Sequence, residues 1–229
     1  MNIIYEDSNI IVVEKEAGKL TQSGKSFDLD LTSEVLAYRR KKGEEVYAAL
    51  INRLDRPVSG LVLFAKNKSE AARLSKQLQQ GGFCKQYYAV VCGKLPEKTG
   101  TFVDYLVKDA ASNTSRIADK NEAGAKCAEL RYEVMEEYQE QDNIFSFVRI
   151  ELITGRHHQI RVQFASRNLP LLGDEKYGCG VLVPEKLTLQ QSGEAKISEI
   201  HLKRGEIALC AYSLTVDGKT YTIKPHWKR

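Results

Sequence analysis

The stretch Ala49–Lys66 constrains this chain more than any other. Two apolar runs, Ala48-Ala49-Leu50-Ile51 and Leu61-Val62-Leu63-Phe64-Ala65, flank a polar connection containing Asn52, Arg53, Asp55 and Arg56, then Pro57, Ser59 and Gly60. Apolar runs of this length bounded by Pro and Gly read as buried strands. The connection between them then rises out of a core, which is where a rigid scaffold presents functional groups. Two flanking cations favour the charged form of a carboxylate, and an oriented, ionised carboxylate can act as a nucleophile or as a base. The same residues also suit a plain turn in which Asp55 accepts a backbone N–H and the arginines face solvent.

With 229 residues, 42% of them hydrophobic, the chain can bury a sizeable core, and one domain spanning 1–229 is expected. No run approaches the roughly 18 apolar residues of a membrane span, and Met1–Asp7 lacks the basic start and apolar stretch of a signal peptide. Five cysteines (Cys84, Cys92, Cys127, Cys179, Cys210) form no C-x-x-C, and the odd count argues against a disulfide framework and for a reducing cytoplasm. The net charge of +4 is mild, but its distribution is uneven. Cations group at Arg39-Arg40-Lys41-Lys42, Arg53/Arg56, Arg156/His157/His158/Arg161 and Lys224/His226/Lys228/Arg229, while acids gather in Glu129–Asp142. That asymmetry suits a phosphate-bearing partner. His157 and His158 point to different sides of any helix or strand and have no ligand-spaced Cys or carboxylate, so no metal site is expected.

Local patterns predict further elements. Ile10–Val13 reads as a strand after a turn at Asp7-Ser8-Asn9, and Gly24–Asp30 as a loop. Leu31–Lys42 reads as a helix capped by Thr32 or Ser33 and stopped by Gly43. Ser69–Gln80 is an amphipathic helix with Ala71, Leu74 and Leu78 on one face, ended by Gly81-Gly82. Strands are expected at Lys85–Gly93, Thr101–Val107, Ala128–Val134 and Phe145–Ile153, with a polar loop over Lys108–Gly124. Tyr87 and Tyr88 then face opposite sides of their strand. Val183–Lys203 reads as an exposed insertion, and Ile207–Val216 with Lys219–Lys224 as a hairpin across Asp217-Gly218.

Several of these stretches together resemble the RluA family of pseudouridine synthases. Arg53, Leu54, Asp55, Arg56, Ser59 and Gly60 match its H-R-L-D-[R/K]-x-T-S-G, with Asn52 and Val58 where His and Thr are usual. Tyr5-Glu6-Asp7 and Ile11–Lys15 resemble its opening Y-E-D-x-x-x-I-V-V-x-K-P-x-G, with Glu16 for Pro and Gly18 kept. Lys85–Gly93 is similar to K-x-Y-x-A-x-V-x-G. Thr154–Gln163 is similar to T-G-R-x-H-Q-I-R-x-H, with Gln163 for the last His. Leu169–Gly178 is similar to G-x-P-[I/L]-x-G-D-x-x-Y-G, and Leu209-Cys210-Ala211 lies where the family often has L-H-A. The opening motif sits at the start of the chain, so the N-terminal S4 domain of some relatives is not expected before it.

The resemblance implies an α+β fold: a mixed, largely antiparallel β-sheet with flanking helices and a central catalytic cleft. It implies that a uridine in ribosomal or transfer RNA is extracted, detached from its ribose, rotated and rejoined through C5, with no cofactor and no metal. Asp55 becomes the essential carboxylate, acting at the sugar or at the base. Arg161 becomes the ion-pair partner that orients it, and Tyr87 stacks on uracil or assists proton transfer from C5. Arg53 enters the RNA as the base leaves, and Arg56, Arg156 and Ile160 join it as substrate contacts. A monomer is expected. Asn52, Val58, Gln163 and Cys210 motivate a second reading, a catalytically weak RNA-binding relative of the same fold. A third, an aspartate-nucleophile glycoside hydrolase, lacks the second carboxylate such enzymes use.

Overall fold

The β-formers Ile10–Val13 lie within β2 (Ile10–Lys15), which pairs antiparallel with β1 (Asn2–Glu6). They come from a computed structural model that describes residues 1–23, 30–140, 142–178, 186–191 and 197–228. The chain divides into two compact units, Met1–Cys84 with Ala211–Lys224, and Lys85–Cys210 with Pro225–Arg229. The first unit continues through α1 (Leu31–Lys41), β3 (Ala49–Leu50), β4 (Ser59–Ala65) and α2 (Lys68–Gln79). All seven residues of β4 are buried, as its unbroken apolar run predicts for a central strand. β2 pairs along β4 from Ile10↔Ala65 to Lys15↔Gly60, and the short β3 pairs with it at Ala49 and Leu50.

Helix starts follow the capping rule, with one change from expectation. Asp30, not Thr32 or Ser33, caps α1, its Oδ1 accepting the Ser33 N–H at 2.7 Å. Asp30 is extended, whereas Thr32 and Ser33 already lie inside the first turn, so only Asp30 can reach back to the orphan N–H. Gly43 (φ +71°) and Gly81 (φ +77°) take left-handed conformations beyond the ends of α1 and α2. Leu74 of α2 is fully buried among Ile10, Val12, Leu61 and Leu63, with Ala71 and Leu78 partly buried beside it.

The second unit holds β5 (Cys84–Cys92) from Lys85 onward, then β6 (Thr99–Asp109), β7 (Thr114–Ala118), β8 (Lys126–Glu140), β9 (Asn143–Leu152), α3 (Gln159–Ala165), β10 (Lys186–Gln191) and β11 (Ile197–His201). Its strands run in the order β5-β9-β8-β10-β11, with β6 also on β8 and β7 on β6. β8 serves two neighbours because it is long: β6 pairs with Lys126–Glu133 and β10 with Tyr138 and Gln139. A register shift between Val134 and Glu136 in its pairing with β9 separates these halves. Ala128, Leu130 and Tyr132 are buried while Arg131 is exposed, the alternation read from sequence.

Two segments differ from expectation. The polar stretch Lys108–Gly124 contains β7, because β6 supplies a ladder from Tyr105↔Ala118 to Asp109↔Thr114 that weak local propensity does not announce. The supposed insertion Val183–Lys203 contains β10 and β11, which pair antiparallel, and Ile200 and Leu202 are buried. The remainder of that segment, residues 183–185 and 192–196, lies outside the described residues, as do 24–29, Cys179 and Arg229.

The chain then enters β12 (Leu209–Val216), whose residues from Ala211 onward belong to the first unit, and β13 (Lys219–Thr222). Asp217 (φ +51°) and Gly218 (φ +73°) join them as two left-handed residues, the geometry that an Asp-Gly hairpin demands. Gly60 has φ +137°, and a Cβ there would lie 2.5 Å from the Ala211 backbone nitrogen, so this crossing admits only glycine. In each unit the described strands pair mostly antiparallel, and the described residues include three helices, in keeping with the fold class that the resemblance implies. Among the described residues no helix is long and apolar enough to cross a membrane.

Candidate active site

The polar connection after β3 is held from several sides. Asn52 lends its amide to β4: Nδ2 donates to the Leu61 carbonyl at 3.1 Å and Oδ1 accepts the Leu63 N–H at 2.8 Å. One side-chain amide thus stands in for a strand's peptide group, with one donor and one acceptor in a plane. The Thr21 hydroxyl, buried, accepts the Leu54 N–H at 3.3 Å and donates to the Leu54 carbonyl at 2.9 Å. On the other side of Asp55, the Arg56 carbonyl accepts the Gly18 N–H at 2.8 Å and the Lys15 ammonium at 3.1 Å. Arg56 returns the contact, its Nε donating to the Gly18 carbonyl at 2.9 Å. The Val58 N–H closes the turn on the Asp55 carbonyl at 3.1 Å.

Lys15 is the residue whose importance the sequence reading missed. It is fully buried, and its ammonium also donates to the carbonyls of Lys19 at 2.7 Å and Glu16 at 3.0 Å. A buried cation is tolerated only when hydrogen bonds replace its water, and here carbonyls do so. The available signal was phase: Lys15 shares a strand face with Ile11 and Val13, an apolar side where lysine is out of place. The backbone on both sides of Asp55 is therefore fixed, while its side chain is half-buried and Arg53 and Arg56 are exposed.

In the second unit, Tyr87 is 7% exposed on β5 opposite Ile150, and Tyr88 on the other face stacks on Phe147 with ring centroids 5.0 Å apart. Arg161 is 4% exposed on α3. The partner this unit gives it is Asp174, fully buried, whose carboxylate accepts Nε at 2.7 Å and Nη2 at 2.8 Å. Asp174 also accepts the N–H groups of Lys176 and Tyr177 at 3.1 and 3.2 Å. The Arg161 guanidinium lies 5.0 Å from the Tyr177 ring centroid. Ile160 is buried, and Arg156 is exposed with its Nε on the Cys127 carbonyl at 2.8 Å.

Adjacent histidines were expected to diverge, and they do not. His158 is left-handed (φ +52°), which swings its ring beside that of His157, stacked at 3.7 Å between centroids. Their partners differ: His157 Nδ1 meets the Ser115 hydroxyl at 2.9 Å, and His158 Nδ1 the Tyr177 hydroxyl at 2.7 Å. Among the described residues no three His, Cys, Asp or Glu side chains gather in a way that could hold a metal ion.

The basic groups also need correction. Arg39 is 5% exposed and donates to Glu44 and to the carbonyls of Tyr47 and Lys66, so it is structural, not a phosphate contact. Lys42 is exposed but salt-bridged to Glu6 and Glu44, and Lys228 is salt-bridged to Glu136. Arg40, Lys41 and Arg156 remain exposed cations.

Comparison with known proteins agrees with these motifs. Residues 9–166 match the family described as RNA pseudouridylate synthase. The chain is 34% identical over 182 residues to a ribosomal large subunit pseudouridine synthase C of Rickettsia conorii, covering 80% of this chain and 58% of that protein. It is 31% identical over 221 residues to an uncharacterized RNA pseudouridine synthase of Bacillus subtilis, covering 96% of this chain and 70% of that one. The chain thus spans little more than half the length of the Rickettsia protein. Among solved structures, human RNA pseudouridylate synthase domain containing 4 aligns with TM-score 0.73 at 20% identity, over 98% of this chain and 89% of that one.

Proposed function

The chain belongs to the RNA pseudouridylate synthase family, and on that premise we propose that it isomerises uridine to pseudouridine in RNA with Asp55 as the essential carboxylate. In this reaction the N1–C1′ bond breaks, the uracil turns, and a C5–C1′ bond forms. C5 loses its proton and N1 ends protonated, so nothing is oxidised or reduced and no cofactor or metal is required. The target base must first leave the stack, a step assigned to Arg53, whose planar guanidinium can take its place. Tyr87 and Arg161 are the other residues assigned to the chemistry, with Arg56, Arg156 and Ile160 as substrate contacts. A cytoplasmic monomer is part of the same reading.

The observation that carries the proposal is the Asp55 turn: a half-buried carboxylate whose flanking backbone is fixed by Thr21, Gly18 and Lys15. A plain surface turn has no need of a fully buried lysine beneath it. The four departures from the family pattern weigh little for an inactive relative. Asn52 and Gln163 are hydrogen-bonded within the fold, and Val58 and Cys210 are buried. The names of several relatives make large-subunit ribosomal RNA the first substrate to try, with transfer RNA next.

The test is tritium release from RNA labelled at uridine C5, with parent and Asp55→Asn at matched concentrations. The near-isosteric change should abolish release while RNA affinity persists; residual activity within about tenfold of the parent would remove Asp55 from catalysis. Pseudouridine maps of cellular RNA with and without the protein identify the modified uridine.

A further inference from the structure

Beyond the assigned residues, α3 carries two buried glutamines one turn apart, Gln159 at 3% and Gln163 at 0% exposure. Gln163 Nε2 donates to Asp104 Oδ2 at 2.7 Å and to the Ala128 carbonyl at 3.1 Å. Its Oε1 accepts from Gln159 Nε2 at 3.1 Å, which also donates to the Glu129 carbonyl at 3.0 Å. Gln159 Oε1 then accepts the Thr154 hydroxyl at 2.8 Å and the Arg156 N–H at 2.9 Å. Asp104 is itself held by Arg167, with contacts of 3.0 and 3.1 Å.

The direction of this chain is fixed. Turning Gln163 over would set its oxygen against the Asp104 carboxylate and the Ala128 carbonyl, with no donor between them. Its oxygen must therefore face Gln159, which must answer with its NH2 and so present its own oxygen to the Thr154–Arg156 loop. We propose that Gln163 and Gln159 form a one-way amide relay by which Asp104 positions the Arg156 backbone for RNA binding. This rests on the pseudouridine synthase reading for the role of Arg156. The charged groups facing Gln163 are Asp104 from β6 and, through it, Arg167 beyond α3; β8 presents the Ala128 and Glu129 carbonyls. An imidazolium at position 163 would have two donors and no acceptor for Gln159, whereas the amide keeps both at every pH.

The test uses Gln163→Glu, Gln163→Met and the double variant Asp104→Asn/Gln163→Glu, each confirmed folded by circular dichroism at the assay temperature. Two quantities are read: hydrogen exchange at the Arg156 amide, and kcat/KM for tritium release against pH. The introduced carboxylate faces acceptors, so Gln163→Glu should speed Arg156 exchange and lower kcat/KM by up to about 10²-fold at neutral pH, the scale of a misplacement of about 1 Å. Both effects should lessen as acid protonates it, and the double variant should recover at neutral pH because Asn supplies the missing donor. Gln163→Met should speed exchange at every pH. Unchanged Arg156 exchange in Gln163→Glu and Gln163→Met overturns the relay. Faster exchange with kcat/KM unchanged overturns its positioning role. A parent with no isomerase activity on RNA overturns the functional reading and with it the role of Arg156, while exchange still decides whether the relay exists.

Discussion

Replacing Asp174 by Asn tests the second unit at its most committed point. The side chain is fully buried, and its two oxygens accept four N–H groups, two from Arg161 and one each from Lys176 and Tyr177. Asn keeps the shape but turns one oxygen into an NH2. Facing Arg161 Nε, that group meets a donor at 2.7 Å; flipped, it meets Nη2 and two backbone N–H groups. Either way a donor opposes a donor, and the 4%-exposed guanidinium loses the charge of the fully buried Asp174. Removing one partner of a buried pair costs about 3–5 kcal/mol. At about 2–4 °C per kcal/mol for a chain of this size, Tm should fall by roughly 6–20 °C. Thermal and urea unfolding of parent and variant measure this directly. The double variant Asp174→Leu/Arg161→Met should lose less than the sum of its single changes, because both charges of this pair leave together. A loss below about 1 kcal/mol in Asp174→Asn would mean that the pair is screened as a surface bridge is, and the burial argument would fail.

Lys15→Met keeps the aliphatic stem but strips a donor from the carbonyls of Glu16, Lys19 and Arg56. A loss of about 2–4 kcal/mol by urea unfolding is expected, with turnover falling through the loosened Asp55 turn; an unchanged midpoint and rate would refute both. Around Lys66, hydrogen bonds from Lys66 and then Lys42 hold Glu44 down at about 2, against an ordinary 4.5. For Glu6, burial pushes upward, but hydrogen bonds from Lys66, Tyr38 and Lys42 outweigh it and lower the carboxyl. Both groups are depressed in the folded state, so their stabilisation is present above about 4.5 and is lost as pH falls through the folded-state values, about 2 for Glu44. Urea midpoints in that window should drop less in Glu44→Gln than in the parent, and parallel curves would exclude the cluster. Asn52→His leaves the ring to match both the Leu61 carbonyl and the Leu63 N–H, which its divergent nitrogens cannot do at once. Stability should fall by about 1 kcal/mol and turnover by only a few-fold; a silent parent awakened by this change would favour the RNA-binding relative.

What was legible in the sequence was local. The unbroken run of β4, the alternation of β8, the left-handed pair at Asp217-Gly218 and the glycine stops of α1 and α2 each follow from backbone rules within a few residues. The motif residues were legible too, because their types and order survive without a fold. What only the tertiary structure decided depends on partners distant in sequence. Lys15 is buried because the distant Arg56 carbonyl meets its ammonium, and Arg39 becomes structural because the distant Lys66 carbonyl accepts from its guanidinium. β7 exists because β6 lies beside it, and the stacked histidines follow from one left-handed residue that nothing local requires. Propensity and period report the energy of a residue with its neighbours along the chain. The hydrogen bonds that make a buried charge tolerable come from across the fold, and their presence is set only once the strands have paired.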